Sequence, residues 1–121
     1  KVMSLPVSVP SHCDLMKPAA EKLALELNSV KFNPAKIPLI QNVNGEIASD
    51  IHAIKEGLVK QLYSPVLWTK SVATLAQNDV MTIVECGPGK VLSGLNKRIH
   101  ESAKLFNLNS AESMTALQAS L

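Results

Sequence analysis

A chain of 121 residues fits one domain or less than one, since domains commonly run to about 100 to 200 residues. Hydrophobic residues make up 46% and aromatics only 3%, so a core has to be assembled from Leu, Val, Ile and Ala, as is common in α/β proteins. Twelve basic against ten acidic residues leave a net charge of +2, too small and dispersed for a nucleic-acid footprint, and no apolar run approaches the roughly 20 residues that span a bilayer.

Lys1 to Val9 reads as an extended segment with Val7 and Val9 on one side, and Pro6 and Pro10 suit a strand end or edge. The same prolines interrupt the apolar run and speak against a signal peptide. From Ser11 to about Val30 the spacing turns helical: Leu15, Ala19, Leu23 and Leu27 form an inner stripe, with Glu21, Lys22 and Glu26 outside. Ser11 or Asp14 is the expected cap, and Pro18 is tolerated in the first turn of a main helix that starts near Lys17. Ile37 to Val43 is predicted as a short buried strand ending at Asn44-Gly45. Asp50 then caps a helix carrying Ile51, Ile54, Leu58 and Leu62, which Tyr63-Ser64-Pro65 ends.

A further helix is expected from about Val66 to Asn78, with Trp68, Val72, Leu75 and Ala76 inside. Met81 to Val84 has strand length and stops at Cys86-Gly87-Pro88-Gly89. The next helix carries Val91, Leu92, Leu95 and Ile99, Leu105 to Leu108 forms a last strand, and Ser110 caps a terminal helix through Leu117. Strands alternating with helices in this way predict an α/β layered fold with a mostly parallel sheet and helices on its faces.

Gly87-Pro88-Gly89-Lys90 lies between a strand and a helix, where phosphate-binding loops lie, but Val91 stands where a Walker loop needs Ser or Thr. The alternative is a structural turn that brings the backbone close to its neighbours. Cys13 and Cys86 lack Cys-x-x-Cys spacing, which predicts a reduced, cytoplasmic protein. His12, His52 and His100 supply no ligand pair with zinc-like spacing, so no metal site is expected, and His52 and His100 are expected on solvent-facing helix positions. Read from pattern alone, His12 is either a helix-capping or core histidine or a base that moves protons near neutral pH. Its neighbour Cys13 projects in a different direction, and the chain has no Gly-x-Ser-x-Gly elbow.

Three ordered motifs narrow these readings: Val7-Ser8-Val9-Pro10-Ser11-His12-Cys13-x-Leu15-Met16-Lys17-Pro18-Ala19-Ala20, then Gln61-Leu62-Tyr63-Ser64-Pro65-Val66-x-Trp68, then Glu85-x-Gly87-Pro88-Gly89-Lys90-Val91-Leu92. Together they resemble the C-terminal part of the malonyl-CoA:acyl carrier protein transacylases of bacterial type II fatty-acid synthesis, over essentially the whole chain. The resemblance implies a fold in which Lys1 to Val9 is the last strand of a small ferredoxin-like subdomain and its linker. Residues 10–121 would then form the C-terminal part of an α/β-hydrolase-like acyltransferase large subdomain.

The resemblance also implies a ping-pong exchange in which a serine attacks malonyl-CoA, with His12 as general base and acid and the Gln61 main-chain carbonyl orienting His12. The serine elbow, the oxyanion-hole glutamine and the arginine for the malonyl carboxylate are implied to belong to earlier sequence, so the chain by itself is expected to be inactive. No cofactor is implied, because the CoA thioester and the phosphopantetheine are substrate groups. The implied partners are acyl carrier protein, malonyl-CoA and the N-terminal part of the same enzyme, with no nucleic acid or membrane. In related polyketide synthase domains a serine before the histidine is associated with methylmalonyl; Ser11 occupies that position here, while Val9-Pro10-Ser11-His12 resembles freestanding malonyl enzymes. The alternative reading is a non-catalytic remnant that binds acyl carrier protein through Lys90, Lys97 and Arg98.

Overall fold

Pro18 sets where the first helix can begin. In the computed structural model, which describes residues 2 and 8–120, a 3-10 turn at Asp14–Met16 leads into helix α1 (Lys17–Ser29), with Pro18 in its first turn where a missing N–H breaks no helix bond. The expected caps do not form. Neither Ser11 nor Asp14 caps the helix; the Asp14 carboxylate pairs instead with Lys17 at 3.1 Å. The inner face is also rotated from the expected one. Ala20 and Leu27 are buried with Leu23 and Ala24 half-buried, whereas Ala19 is exposed and Leu15 is 74% exposed because the 3-10 turn takes it off the helix register. The extended segment and subdomain strand expected over Lys1 to Val9 lie, apart from Val2, Ser8 and Val9, outside the described residues.

The chain divides into two compact units, Lys1–Ser71 and Val72–Leu121. In the first, α1 packs against α2 (Ile51–Lys60), which Asp50 caps by accepting from the Ala53 amide at 2.8 Å, as its sequence predicts. Lys55 reaches back from α2 to the far end of α1, donating to the Leu27 and Val30 carbonyls and lying 4.9 Å from the Phe32 ring centre.

The predicted strand over Ile37 to Val43 is not formed. Pro38 has no N–H to contribute to a ladder, and the chain folds back on itself: Ile40 bridges Ile47, Ala48 N–H donates to Leu39 and Gln41 N–H to Glu46. Gly45, at φ 65°, makes that return possible, since a Cβ there would also press on Lys70. The next helix, α3 (Trp68–Gln77), starts two residues later than expected, with Val72 wholly buried and Trp68, Leu75 and Ala76 half-buried.

In the second unit β1 (Thr82–Glu85), α4 (Val91–Ile99) and β2 (Lys104–Asn107) form a strand-helix-strand crossover. The strands pair in parallel with Thr82 opposite Lys104 and Glu85 opposite Asn107. Among the described residues this two-stranded parallel pair is the whole sheet. Helix α4 packs on both strands, and α5 (Ala111–Gln118) packs on β2. Ser110 and Ser113 cap α5 reciprocally, each hydroxyl accepting from the other's amide.

Three details of this unit depart from expectation. Val91 is 74% exposed and Leu92 and Leu95 are also exposed, while the buried residue of α4 is Asn96. His100 is half-buried at the end of α4 and its Nε2 donates to the Val80 carbonyl at 3.1 Å, so it is not a solvent-facing helix position. Gly87 and Gly89 have open space where a Cβ would stand and neither has a positive φ, so no close approach within the described chain requires them. No helix among the described residues is long and apolar enough to cross a membrane.

Candidate active site

A helix leaves its last carbonyls without intrahelical partners, and the chain leaving α2 turns such carbonyls on one residue. After Lys60 the backbone tightens, Gln61 N–H donating to Gly57, Leu62 to Val59 and Tyr63 to Lys60. This leaves the carbonyls of Gln61, Leu62 and Ser64 to the segment around His12. The His12 amide donates to Leu62 at 2.9 Å, and its ring Nδ1 lies 2.9 Å from the Gln61 oxygen and 3.1 Å from the Ser64 oxygen.

Two carbonyls accept and cannot donate, so Nδ1 carries the proton and a neutral ring keeps its lone pair on Nε2. That nitrogen has no hydrogen-bond partner among the described residues, and the residue is exposed.

His12 holds a left-handed backbone, φ 65°. Such a conformation is uncommon for a residue with a Cβ and costs about 1 kcal/mol or more. The anchoring bonds of His12 to residues 61–64 hold it there. Its ring is not a core side chain; through Nδ1 it closes the C-terminal end of α2 at Gln61.

The sequence-derived pair His12 and Gln61 is thus brought together, through the Gln61 main chain. Ser64 was not anticipated; the only signal for it was Pro65, which directs the preceding residue. Cys13 stands apart from the histidine, its Sγ donating to the Pro10 carbonyl at 3.1 Å. Cys86 is an exposed free thiol, and no group of three or more potential metal ligands occurs among the described residues. A cleft of about 720 Å³ lies between residues 34–39 and 47–54, but of its two titratable carboxylate and imidazole groups, Asp50 is committed to capping α2 and His52 is exposed.

The phosphate reading of Gly87 to Lys90 fails for a local reason. The Glu85 carboxylate already fills the start of α4, accepting from the Leu92 amide at 3.2 Å, the Ser93 amide at 2.8 Å and the Ser93 hydroxyl at 2.6 Å. Asn107 donates to the same carboxylate at 3.1 Å and to Ser93 Oγ at 2.7 Å. The Ser93 hydroxyl above all, with these amides, holds the carboxyl below the ordinary glutamate range. An external anion would meet a charge of its own sign. Lys90, Lys97 and Arg98 remain exposed on or beside α4, the last two in its final turn where the helix dipole favours cations.

No protein-family model matches the chain. Among curated proteins it is 49% identical over 116 residues to the malonyl CoA-acyl carrier protein transacylase of Escherichia coli K12, covering 96% of this chain and 38% of that protein. Among solved structures it superposes on the malonyl-CoA:acyl carrier protein transacylase of Xanthomonas oryzae with a TM-score of 0.91 at 41% identity, covering 96% of this chain and 37% of the other. A second, with a TM-score of 0.88 at 45% identity over 95% of this chain and 38% of the other, is a malonyl-transacylase in complex with its type II PKS acyl-carrier protein. The chain spans little more than a third of the length of the relatives it matches. Near-complete coverage on this side and close backbone agreement place the chain in the malonyl CoA-acyl carrier protein transacylase family, as a C-terminal portion of its sequence.

Proposed function

We propose that the chain supplies the histidine of a malonyl transfer from malonyl-CoA to the phosphopantetheine thiol of acyl carrier protein. The observation that carries this reading is the His12 ring, with its Nδ1 facing two carbonyls and its Nε2 unengaged among the described residues. In the first half-reaction a serine from sequence outside these residues attacks the thioester carbonyl. Nε2 takes the serine proton, the C–S bond breaks, and the proton passes to the leaving CoA thiolate. In the second, the carrier thiol gives its proton to Nε2 and its sulfur attacks the seryl ester. The serine oxygen leaves and recovers the proton.

The Gln61 carbonyl takes the place of the acid in a catalytic triad: it fixes the tautomer and steadies the imidazolium through a dipole rather than a full charge. The family's length supports the serine lying elsewhere, since the chain covers 38% of the Escherichia coli relative. The same proposal takes Lys1 to Val9 as the end of a ferredoxin-like subdomain, residues 10–121 as part of a hydrolase-like large subdomain, and the setting as the cytoplasm, with no cofactor. Exposed Lys90, Lys97 and Arg98 suit an acidic carrier protein. A carrier-binding remnant without chemistry would keep those cations but would have no use for a histidine held in a left-handed backbone.

The test is malonyl transfer to holo acyl carrier protein, followed by mass spectrometry, in full-length enzyme carrying this segment. His12→Ala lowers kcat/KM by about 10²-fold or more, whereas Gln61→Ala, which keeps the carbonyl, stays close to wild type. An undiminished rate in His12→Ala removes the role assigned to His12.

A further inference from the structure

We infer that Ser64 and Pro65 are positioning residues for His12, the Ser64 carbonyl sharing the Nδ1 proton with Gln61 and Pro65 fixing the direction in which that carbonyl points. The inference rests on the transacylase reading for its kinetic consequence but not for its structural one.

The two acceptors are nearly equidistant from Nδ1, at 2.9 Å for Gln61 and 3.1 Å for Ser64. One acceptor leaves an imidazole free to swing about that single bond. Two acceptors three residues apart define the ring plane, and so the direction in which Nε2 presents its lone pair. The direction of a carbonyl is set by the ψ of its own residue. For Ser64 that angle is restricted by the next residue, because the proline Cδ clashes with the preceding residue unless it is extended. Pro65 also has no N–H and cannot continue the turn series that Gln61, Leu62 and Tyr63 make with Gly57, Val59 and Lys60. The helix exit therefore stops where the Ser64 oxygen faces the ring. Tyr63, between them, has its ring centre 6.0 Å from the Lys17 ammonium, and the His12 ring bonds go to the residues on either side of it.

Pro65→Ala in the full-length enzyme releases the Ser64 ψ and loses the second acceptor. The expected loss in kcat/KM is about 2- to 12-fold, the range for one hydrogen bond, and it falls on kcat while KM for malonyl-CoA is kept. Ser64→Val combined with Pro65→Ala recovers part of the loss, because a β-branched side chain restores the extended preference at position 64. Nitrogen-15 NMR of the neutral His12 ring reports the structural consequence directly: proton on Nδ1 in the wild type, a mixture of tautomers in Pro65→Ala.

A Pro65→Ala enzyme with wild-type kcat and an unchanged tautomer overturns the inference while leaving the transacylase reading intact. A fully active His12→Ala enzyme overturns that reading, and the NMR measurement then decides the positioning alone. If Pro65→Ala does not fold, a carbon-13 label at the Ser64 carbonyl answers instead. Its resonance shifts between wild type and His12→Ala if the bond exists, and an unmoved resonance overturns it.

Discussion

Among the described residues, the hydrogen-bond partners of the Glu85 carboxylate are four donors: the Leu92 and Ser93 amides, the Ser93 hydroxyl and the Asn107 amide nitrogen. Glu85→Gln keeps the shape but turns an NH2 toward one of these donors. A lower Tm at neutral pH is expected, read by thermal unfolding. Since the folded-state carboxyl lies below its ordinary range, its stabilisation is complete above that range and is lost as pH falls through the folded value. The Tm difference between wild type and Glu85→Gln therefore narrows below about pH 4; a difference that persists there would mean the charge is not its source. At this scale the sequence was readable only in part. The pattern around His12 left a capping, core or base role open, and both the base role of His12 and the part of Gln61 came through resemblance. The four donors around Glu85 were invisible, because they come together only when residues 85, 93 and 107 meet in space.

Helix α2 shows where local pattern is enough and where it fails. Asp50 and the spacing of Ile51, Ile54 and Leu58 predicted its start and period, because a cap and an amphipathic stripe are local properties. What the pattern could not show is Gly57. An alanine inside a helix normally stabilises by about 0.5–1 kcal/mol over glycine. Here the added methyl would fall on the side-chain amide of Gln41, a buried residue whose Nε2 donates to the Ile54 carbonyl at 3.0 Å. Gly57→Ala is expected to destabilise by about 1–3 kcal/mol, the usual cost of overpacking, measured by urea unfolding. A gain in stability would show that Gln41 yields without cost. The same glutamine explains the misread strand: Ile37 to Val43 has strand composition, yet Gln41 closes a narrow return with Glu46 and Gly45 in place of a ladder. A short apolar run does not carry that information.

Across the molecule, alternation of strand and helix was legible over residues 82–118, and the parallel pairing of β1 with β2 follows it. Burial was less legible. Leu15, Leu25, Ile37, Val91 and Leu95 are apolar and exposed, so periodicity located helices better than it located what covers them. Glu85 has one further consequence, for the order in which backbone is released. First-turn amides of a helix ordinarily open to solvent at once, having no carbonyl behind them. In the second unit those of Leu92 and Ser93 are tied to a strand residue whose own carbonyl is bonded by Leu108 N–H. The start of α4 is therefore expected to open together with β1 and β2 as one unit. Native-state hydrogen exchange reads this directly: the Ser93 amide exchanges as slowly as those of Lys104 and Leu108 in the wild type, and in Glu85→Gln it becomes the first of the three to exchange.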